Sequence, residues 1–366
     1  MLFGNIIFLV YCYYISVTLG MSIFTKASQS NAPTGLSSII DAHVHIWGTG
    51  EALFPYAIGA PLPPADMQAS SDAAALLHQL DCTGVAGALI VQPIHYMFDH
   101  SYVAQVIACN PRLKGMALMD PLAGPQFLES IKQQGFVGVR FNPSLWPKQQ
   151  QKERERENEK EQEKLELMSA VRGARLFAQC GALGLPVGFM CFKGLSKHAE
   201  DIRSLLRLHP ETRVIIDHWG FFLQNGVVDE DSWAALLDLA AFPQVHVKVS
   251  AAFRNILPGE DPACALKNRF HQLVESFTPS RLLWGSDWPY VSSVSAAPPA
   301  PAPAPVPAPA GLSSSNGRFS SSSSSTAYAE AAALVTELGW GWLGEKDMKR
   351  VLHGTAEDLF GPWPSC

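Results

Sequence analysis

Eight short runs rich in aliphatic residues recur along this chain. They are SSIIDAHVHIW (37–47), GVAGALIVQP (84–93), LKGMALMDP (113–121), FVGVRFNP (136–143), LPVGFMCF (185–192), RVIIDHWG (213–220), VHVKVSAAF (245–253) and RLLWGSDWP (281–289). Most are nearly continuous in apolar character rather than alternating, as strands covered on both faces should be. Helical periodicities stand between several of them: DAAALLHQL before the second run, PQFLESIKQQG before the fourth, HAEDIRSLLRLHP before the sixth and DSWAALLDLAAFP before the seventh. Repeated β-then-α units predict an α/β protein with a (β/α)8 TIM barrel over 38–366. A doubly wound sheet uses the same units, but no glycine-rich phosphate loop follows the first strand.

Two stretches interrupt the rhythm. KQQQKERERENEKEQEK (148–164) is a charged, low-complexity run, read as a solvated helix or disorder. The tract at 296–326 is rich in proline and alanine, then in serine, and is expected to be an extended tether without a packed core. Both are read as loop insertions after strands four and eight, on the face where barrels of this kind build their sites. Residues 1–25 carry no charged side chain and include NIIFLVYCYYISVTLG. This is a signal, an anchor or an artefact, with Met21 an alternative start, and membrane contact is expected only if the leader is retained. The 366 residues suffice for a large core, and a net charge of -6 gives no reason to expect a nucleic-acid surface. Seven scattered cysteines with no CxxC pair favour an intracellular, reducing compartment. Oligomeric state is not legible.

Polar residues at strand ends carry the chemistry. In the first run Asp41, His43 and His45 are expected on one face, with Ala42, Val44 and Ile46 on the other. If the apolar set meets the helices, both imidazoles point into the barrel near its open end. Alternation in the sixth run places His218 at a strand terminus, with Asp217 on the opposite face; in the eighth it places Asp287 likewise. Three histidines and one aspartate at strand C-termini suit a Zn²⁺-like ion with a position left for water. On the seventh strand His246, Lys248 and Ser250 alternate with valines, and Lys248 is either a second anion contact or a buried ion-pair partner.

DAHVHIW, GVRFNPSLW, VIIDHWG, LLWGSDWPY and the terminal VLHGTAEDLFG together resemble the amidohydrolase superfamily. More narrowly, they are similar to its amidohydrolase-related branch, which contains lactone hydrolases such as 2-pyrone-4,6-dicarboxylate lactonase and sugar-acid lactonases. The resemblance runs from about residue 38 to the C-terminus, apart from the two insertions. It implies a (β/α)8 barrel that opens a lactone or ester of a small, carboxylated acid. His43, His45, His218 and Asp287 become the metal- or carbonyl-facing set, with Asp287 as general base and then acid. Two-metal members of the superfamily carry a bridging lysine or glutamate on the fourth strand. Here Arg140 and Asn142 stand there, and an arginine cannot bridge two cations, so one divalent metal (zinc) or none is expected and a binuclear site is rejected.

Arg140 suits bidentate capture of a substrate carboxylate, with a salt bridge across the barrel as its alternative reading. Arg254 resembles a substrate-carboxylate arginine of the lactonases, with an exposed loop cation as the alternative. Tyr96 matches the position where the branch places a pocket aromatic, while His95 and His100 are expected to be solvated loop residues. Two further functions are weighed. A metal-dependent decarboxylase would want another histidine at the end of a late strand, where Ser250 stands and His246 lies lower. A non-catalytic carboxylate-binding protein would not need all four site residues.

Overall fold

A computed structural model describes residues 39–48, 53–68, 70–124, 126–146, 168, 171–257, 259–293, 322–339 and 341–364. All eight expected strands form: β1 Ile39–Val44, β2 Val85–Val91, β3 Leu113–Leu118, β4 Phe136–Phe141, β5 Val187–Phe189, β6 Val214–Ile216, β7 Val245–Ser250 and β8 Leu282–Gly285. They pair in parallel in that order in one eight-stranded sheet. Each strand is followed by a helix: α1 Ala73–Thr83, α2 Ser101–Cys109, α3 Phe127–Gln133, α4 Val171–Ala182, α5 Ala199–Leu208, α6 Glu230–Asp238, α7 Pro262–Phe277 and α8 Ser322–Leu338. The eight β/α units make the predicted TIM barrel.

Local chemistry explains the helix ends. Asp72, Asp229 and Asp261 cap α1, α6 and α7, their side chains accepting from the backbone N–H of Ala75, Ser232 and Cys264. Pro262 opens α7, where its missing N–H costs nothing. Gly84 closes α1 at φ 72°, a conformation that disfavours a Cβ. Every residue of β2 is buried, which accounts for its unbroken apolar sequence.

The barrel closes where β1 meets β8. Val44 bridges Trp288, the His45 N–H donates to the Trp288 carbonyl at 2.7 Å, and the Asp287 N–H donates to the His43 carbonyl at 2.9 Å. A Cβ on Gly285 would stand 2.9 Å from the His43 nitrogen, so glycine permits this approach. The seam therefore sets His43, His45 and Asp287 side by side.

The opposite end is plugged by the C-terminal segment. Ala356, Leu359, Phe360 and Trp363 pack onto Ile40, Ala86, Met116 and Leu283. Lys114 Nζ donates to the carbonyls of Phe360, Gly361 and Pro362 at 2.8, 2.8 and 2.9 Å. With the strand N-termini sealed, the barrel interior opens at the C-terminal face.

The leader at 1–25 and the charged run at 148–164 lie outside the described residues, as does 296–321. The helix α8 begins at Ser322, so the end of the 296–326 tract is helical rather than extended. Among the described residues no helix is long and apolar enough to cross a membrane.

Candidate active site

β1 departs from simple alternation. Asp41 pairs with Ala88 and Val44 with Ile90, three steps against two, so the strand bulges between them. The bulge leaves His43 and His45 facing the barrel centre and gives Asp41 a different task. Its Oδ1 accepts the backbone N–H of His43 at 3.0 Å and of Ser286 at 2.9 Å, and its Oδ2 accepts the Tyr328 hydroxyl at 2.8 Å. Asp41 thus ties β1 to β8 and to α8. Burial pushes its carboxyl up to about 6 despite these donors.

Three imidazoles converge on one carboxylate oxygen. Oδ1 of Asp287 lies 3.4 Å from His45 Nε2, 3.8 Å from His43 Nε2 and 4.0 Å from His218 Nε2. The two Nε2 atoms of His43 and His45 are 3.3 Å apart. Each ring is held from behind. His45 Nδ1 meets the Val91 carbonyl at 2.8 Å, His218 Nδ1 meets Ser250 Oγ at 2.8 Å, and His43 Nδ1 meets Lys248 Nζ at 3.2 Å. The other oxygen of Asp287 accepts a hydrogen bond from Arg254 Nε at 2.8 Å and forms an ion pair with Nη2 at the same distance, 2.8 Å. Oδ1 is buried without a hydrogen-bond partner.

Backbone strain accompanies this convergence. His218 has φ 51° and Asp287 φ 63°, left-handed conformations that cost non-glycine residues on the order of 1–3 kcal/mol each. Asn255 Nδ2 reaches the His218 carbonyl at 3.3 Å, and the seam hydrogen bond fixes Asp287, so neighbouring structure holds both in place.

The electrostatics follow from burial. Desolvation pushes His43 well below its ordinary value, with Lys248 adding to the effect, and pushes His218 down to about 4. Both rings are therefore neutral near pH 7. Burial alone would raise the Asp287 carboxyl, but Arg254 and His218 outweigh it and hold the group well below the usual carboxylate range. The centre presents an anionic carboxylate beside the neutral imidazoles of His43 and His218.

This donor set fits a divalent cation. His43, His45 and Asp287 each offer one ligand atom, all within 4.8 Å of one another. The Val91 carbonyl takes the Nδ1–H of His45 and leaves its Nε2 lone pair facing inward, the usual arrangement behind a metal-bound histidine. The orphaned Oδ1 of Asp287 supplies the carboxylate. His218, expected as a fourth ligand, stands just outside this group.

Beside the centre is a cavity of about 260 Å³ whose polar lining includes His45, Arg140, Asn142, His218, Arg254 and Asp287. Arg140 is almost wholly buried, its Nε has no hydrogen-bond partner, and its one contact, Nη2 to the Gln92 carbonyl, is long at 3.5 Å. No carboxylate among the described residues pairs with it, which removes the salt-bridge reading. Asn142 lines the cavity while its side chain accepts the Ser144 N–H at 3.0 Å.

Several expectations need correction. Of the two readings of Lys248 the buried ion-pair partner holds and the anion contact does not: it is fully buried, pairs with Asp217 at 3.2 Å and is absent from the cavity wall. Arg254 is neither a free loop cation nor an unengaged carboxylate receptor, because Asp287 occupies it. Tyr96 does not line the cavity. It packs with Trp47 and Met67, and its hydroxyl accepts the Gly48 N–H at 2.8 Å; the aromatics in the cavity wall are Phe192, Phe221 and Tyr290. His95 and His100 are buried rather than solvated, meeting the carbonyls of Pro61 at 2.7 Å and Leu118 at 3.2 Å.

Asp217 and Ser250 are the residues that sequence reasoning left without a role. β6 ends at Ile216 and the chain turns into left-handed backbone at His218. Alternation fails there, and Asp217 and His218 both reach the site interior. The signal for Ser250 is its register: it pairs with Gly285, two residues before Asp287.

With this geometry in view, the comparisons with known proteins give the class. A family model described as "Amidohydrolase" matches residues 40–361, and the chain belongs to that family. Among curated relatives, a 4-sulfomuconolactone hydrolase of Rhizobium radiobacter is 27% identical over 258 residues, 68% of this chain and 75% of the relative. A 2-pyrone-4,6-dicarboxylate hydrolase of Comamonas testosteroni is 27% identical over 278 residues, 72% of this chain and 79% of the relative. Among solved structures, an amidohydrolase of Burkholderia multivorans with bound zinc superposes with a TM-score of 0.60 at 20% identity, covering 90% of this chain and all (100%) of the other.

Proposed function

We propose that this chain hydrolyses a lactone or ester of a small, carboxylated acid by water attack at a polarised carbonyl. The carrying observation is the pairing of one unbonded, buried carboxylate oxygen amid three imidazoles with a buried, unpaired arginine across the same cavity. The activities of these relatives, on a sulfomuconolactone and a pyrone dicarboxylate, support the same substrate class.

Arg140 binds the substrate carboxylate, since its buried guanidinium lines the cavity with no carboxylate paired to it among the described residues and is matched by a planar anion. Asn142 and Tyr290 shape the cavity wall. Arg254 holds Oδ2 of Asp287 and aims Oδ1 at the reacting centre. Oδ1 takes a proton from the attacking water and returns it to the leaving oxygen. A carboxylate held so firmly ionised is a weak base, so proton transfer occurs in concert with attack, as negative charge develops on the carbonyl oxygen. That charge is met by the imidazole cluster. One divalent ion, with zinc suited to two nitrogens and one carboxylate oxygen, would be held by His43, His45 and Asp287 and would supply Lewis-acid polarisation of the carbonyl. On β4 the inward side chain is Arg140, a cation that does not bridge a second ion.

The decarboxylase reading lacks its extra histidine. Ser250 ends β7 and is engaged with His218, while His246 Nδ1 faces the carbonyls of Val214 and Gln244 at 3.3 and 3.1 Å. A carboxylate-binding protein would have no use for a strained Asp287 with its Oδ1 left unbonded. The deciding experiment is metal analysis of the purified protein combined with a screen of neutral and carboxylated lactones, with and without added zinc. Ring opening of carboxylated lactones is expected; binding without turnover under every condition would defeat the proposal.

A further inference from the structure

Two residues outside the cavity meet the site from behind. Lys248 on β7 and Asp217 just past β6 are wholly buried, and Lys248 Nζ lies 3.2 Å from Asp217 Oδ1. Both face one atom of His43: Nδ1 is 3.2 Å from Lys248 Nζ and 3.5 Å from Asp217 Oδ1. A neutral imidazole has one N–H and one lone pair, and its partners decide which nitrogen carries which. An ammonium only donates and a carboxylate only accepts, so these neighbours favour opposite tautomers of the same ring.

The consequence appears on the other side of the ring. If Lys248 donates to Nδ1, the His43 proton sits on Nε2 and donates to His45 Nε2, 3.3 Å away. That nitrogen has a free lone pair because the His45 proton is taken by the Val91 carbonyl at 2.8 Å. If instead Asp217 accepts the Nδ1–H, His43 Nε2 presents a lone pair to the centre, the form that a metal ion requires.

We infer that the Lys248–Asp217 pair selects the tautomer of His43. Lys248 holds the Nε2–H form, in which His43 is a hydrogen-bond donor at the site, and Asp217 supports the lone-pair form that ligates a cation. Both are positioning residues, acting through His43. Lys248 is the nearer partner and the chain from Lys248 through His43 and His45 to Val91 is complete, so the metal-free protein carries the Nε2–H form. Metal uptake then exchanges the partner of Nδ1 from lysine to aspartate, with the proton relocated from Nε2 to Nδ1 and no net loss from the ring. This inference rests on the reading of His43 as a member of the metal- or carbonyl-facing set.

The test uses the full-length protein, stripped with chelator and labelled with ¹⁵N-histidine, the His43 resonances being assigned by their loss in His43→Gln. The ring spectrum should show His43 as the Nε2–H tautomer, converting to Nδ1–H on titration with Zn²⁺. Chelator competition should show Lys248→Met binding Zn²⁺ about tenfold more tightly and Asp217→Asn about tenfold less tightly. The opposite signs are the signature, because a merely structural ion pair broken from either end would weaken binding in both variants. Changes of the same sign, an Nδ1–H tautomer in the metal-free wild type, or a wild type that binds no zinc would each overturn the proposal. Should either variant fail to fold, the wild-type spectrum and its zinc titration decide alone. Absence of lactone turnover would defeat the functional reading and leave the ring spectrum as it stands.

Discussion

Asp287 is the residue on which the proposed chemistry turns, and its two oxygens are divided between tasks. Oδ2 is bound by Arg254 and Oδ1 faces the imidazoles. Asp287→Asn keeps the shape and removes the capacity to take a proton. It is expected to lower kcat by more than tenfold, above about 1.4 kcal/mol of barrier. Near-UV circular dichroism should remain native; stopped-flow or steady-state assays that retain most of the turnover would remove Asp287 from the base role. Arg140 separates binding from chemistry. Arg140→Met should raise KM strongly for carboxylated lactones and little for neutral ones, because only the former lose a charge-assisted pair. Equal effects on both substrate types would mean that the guanidinium supports the barrel rather than the ligand.

At the scale of elements, α8 contributes to the site without touching the cavity centre. Tyr328 on this helix donates to Asp41 Oδ2, and Asp41 in turn holds the backbone beside His43 and before Asp287. Tyr328→Phe removes one hydrogen bond to a buried carboxyl that is ionised above about pH 6. The expected loss in urea unfolding at pH 7.5 is about 1.5–3 kcal/mol, the range for hydrogen bonds to charged groups. Near pH 5, where Asp41 is protonated, the loss should shrink. An equal loss at both pH values would show that the hydroxyl does not serve the ionised carboxylate.

The whole molecule carries a pH dependence set by buried histidines. Burial pushes His100, His218 and His246 each down to about 4, against an ordinary value of about 6.5 in an unfolded chain. Between these values the unfolded chain binds more protons, so stability is complete above about pH 6.5 and declines as pH falls towards 4. Asp41 acts in the opposite sense, since its folded value of about 6 exceeds the ordinary 3.8 and its native proton favours folding on acidification. Burial lowers His43 and His95 as well, so the histidines outweigh the one carboxyl and leave a net loss. Calorimetry of metal-free protein should show Tm dropping between pH 7 and pH 4.5; a Tm that held steady or rose would contradict the assignment of these histidines as buried and neutral.

The sequence by itself determined the barrel. Eight aliphatic runs became eight strands because a parallel sheet covered on both faces needs unbroken apolar sequence, and that signal is local. Four of the helices, α2, α4, α7 and α8, went unmarked; α4 and α7 carry a readable apolar stripe, Leu176, Phe177 and Cys180 in one and Leu266, Phe270, Leu273 and Phe277 in the other, whereas α8 starts inside a serine-rich tract. His43, His45, His218, Asp287, Arg140 and Asn142 were legible because strand alternation and strand ends put them on the open face. What only the tertiary structure decided is where alternation fails or where a partner comes from far along the chain. The bulge in β1 redirects Asp41 to Tyr328, and the left-handed turn after β6 brings Asp217 inward. Lys248 meets Asp217 beside the neighbouring strand and His43 on β1, and the partly exposed Arg254 is engaged by Asp287. The period of a strand says which face a side chain takes, but a charge buried in a barrel is committed by whichever opposite charge the closed sheet brings within reach.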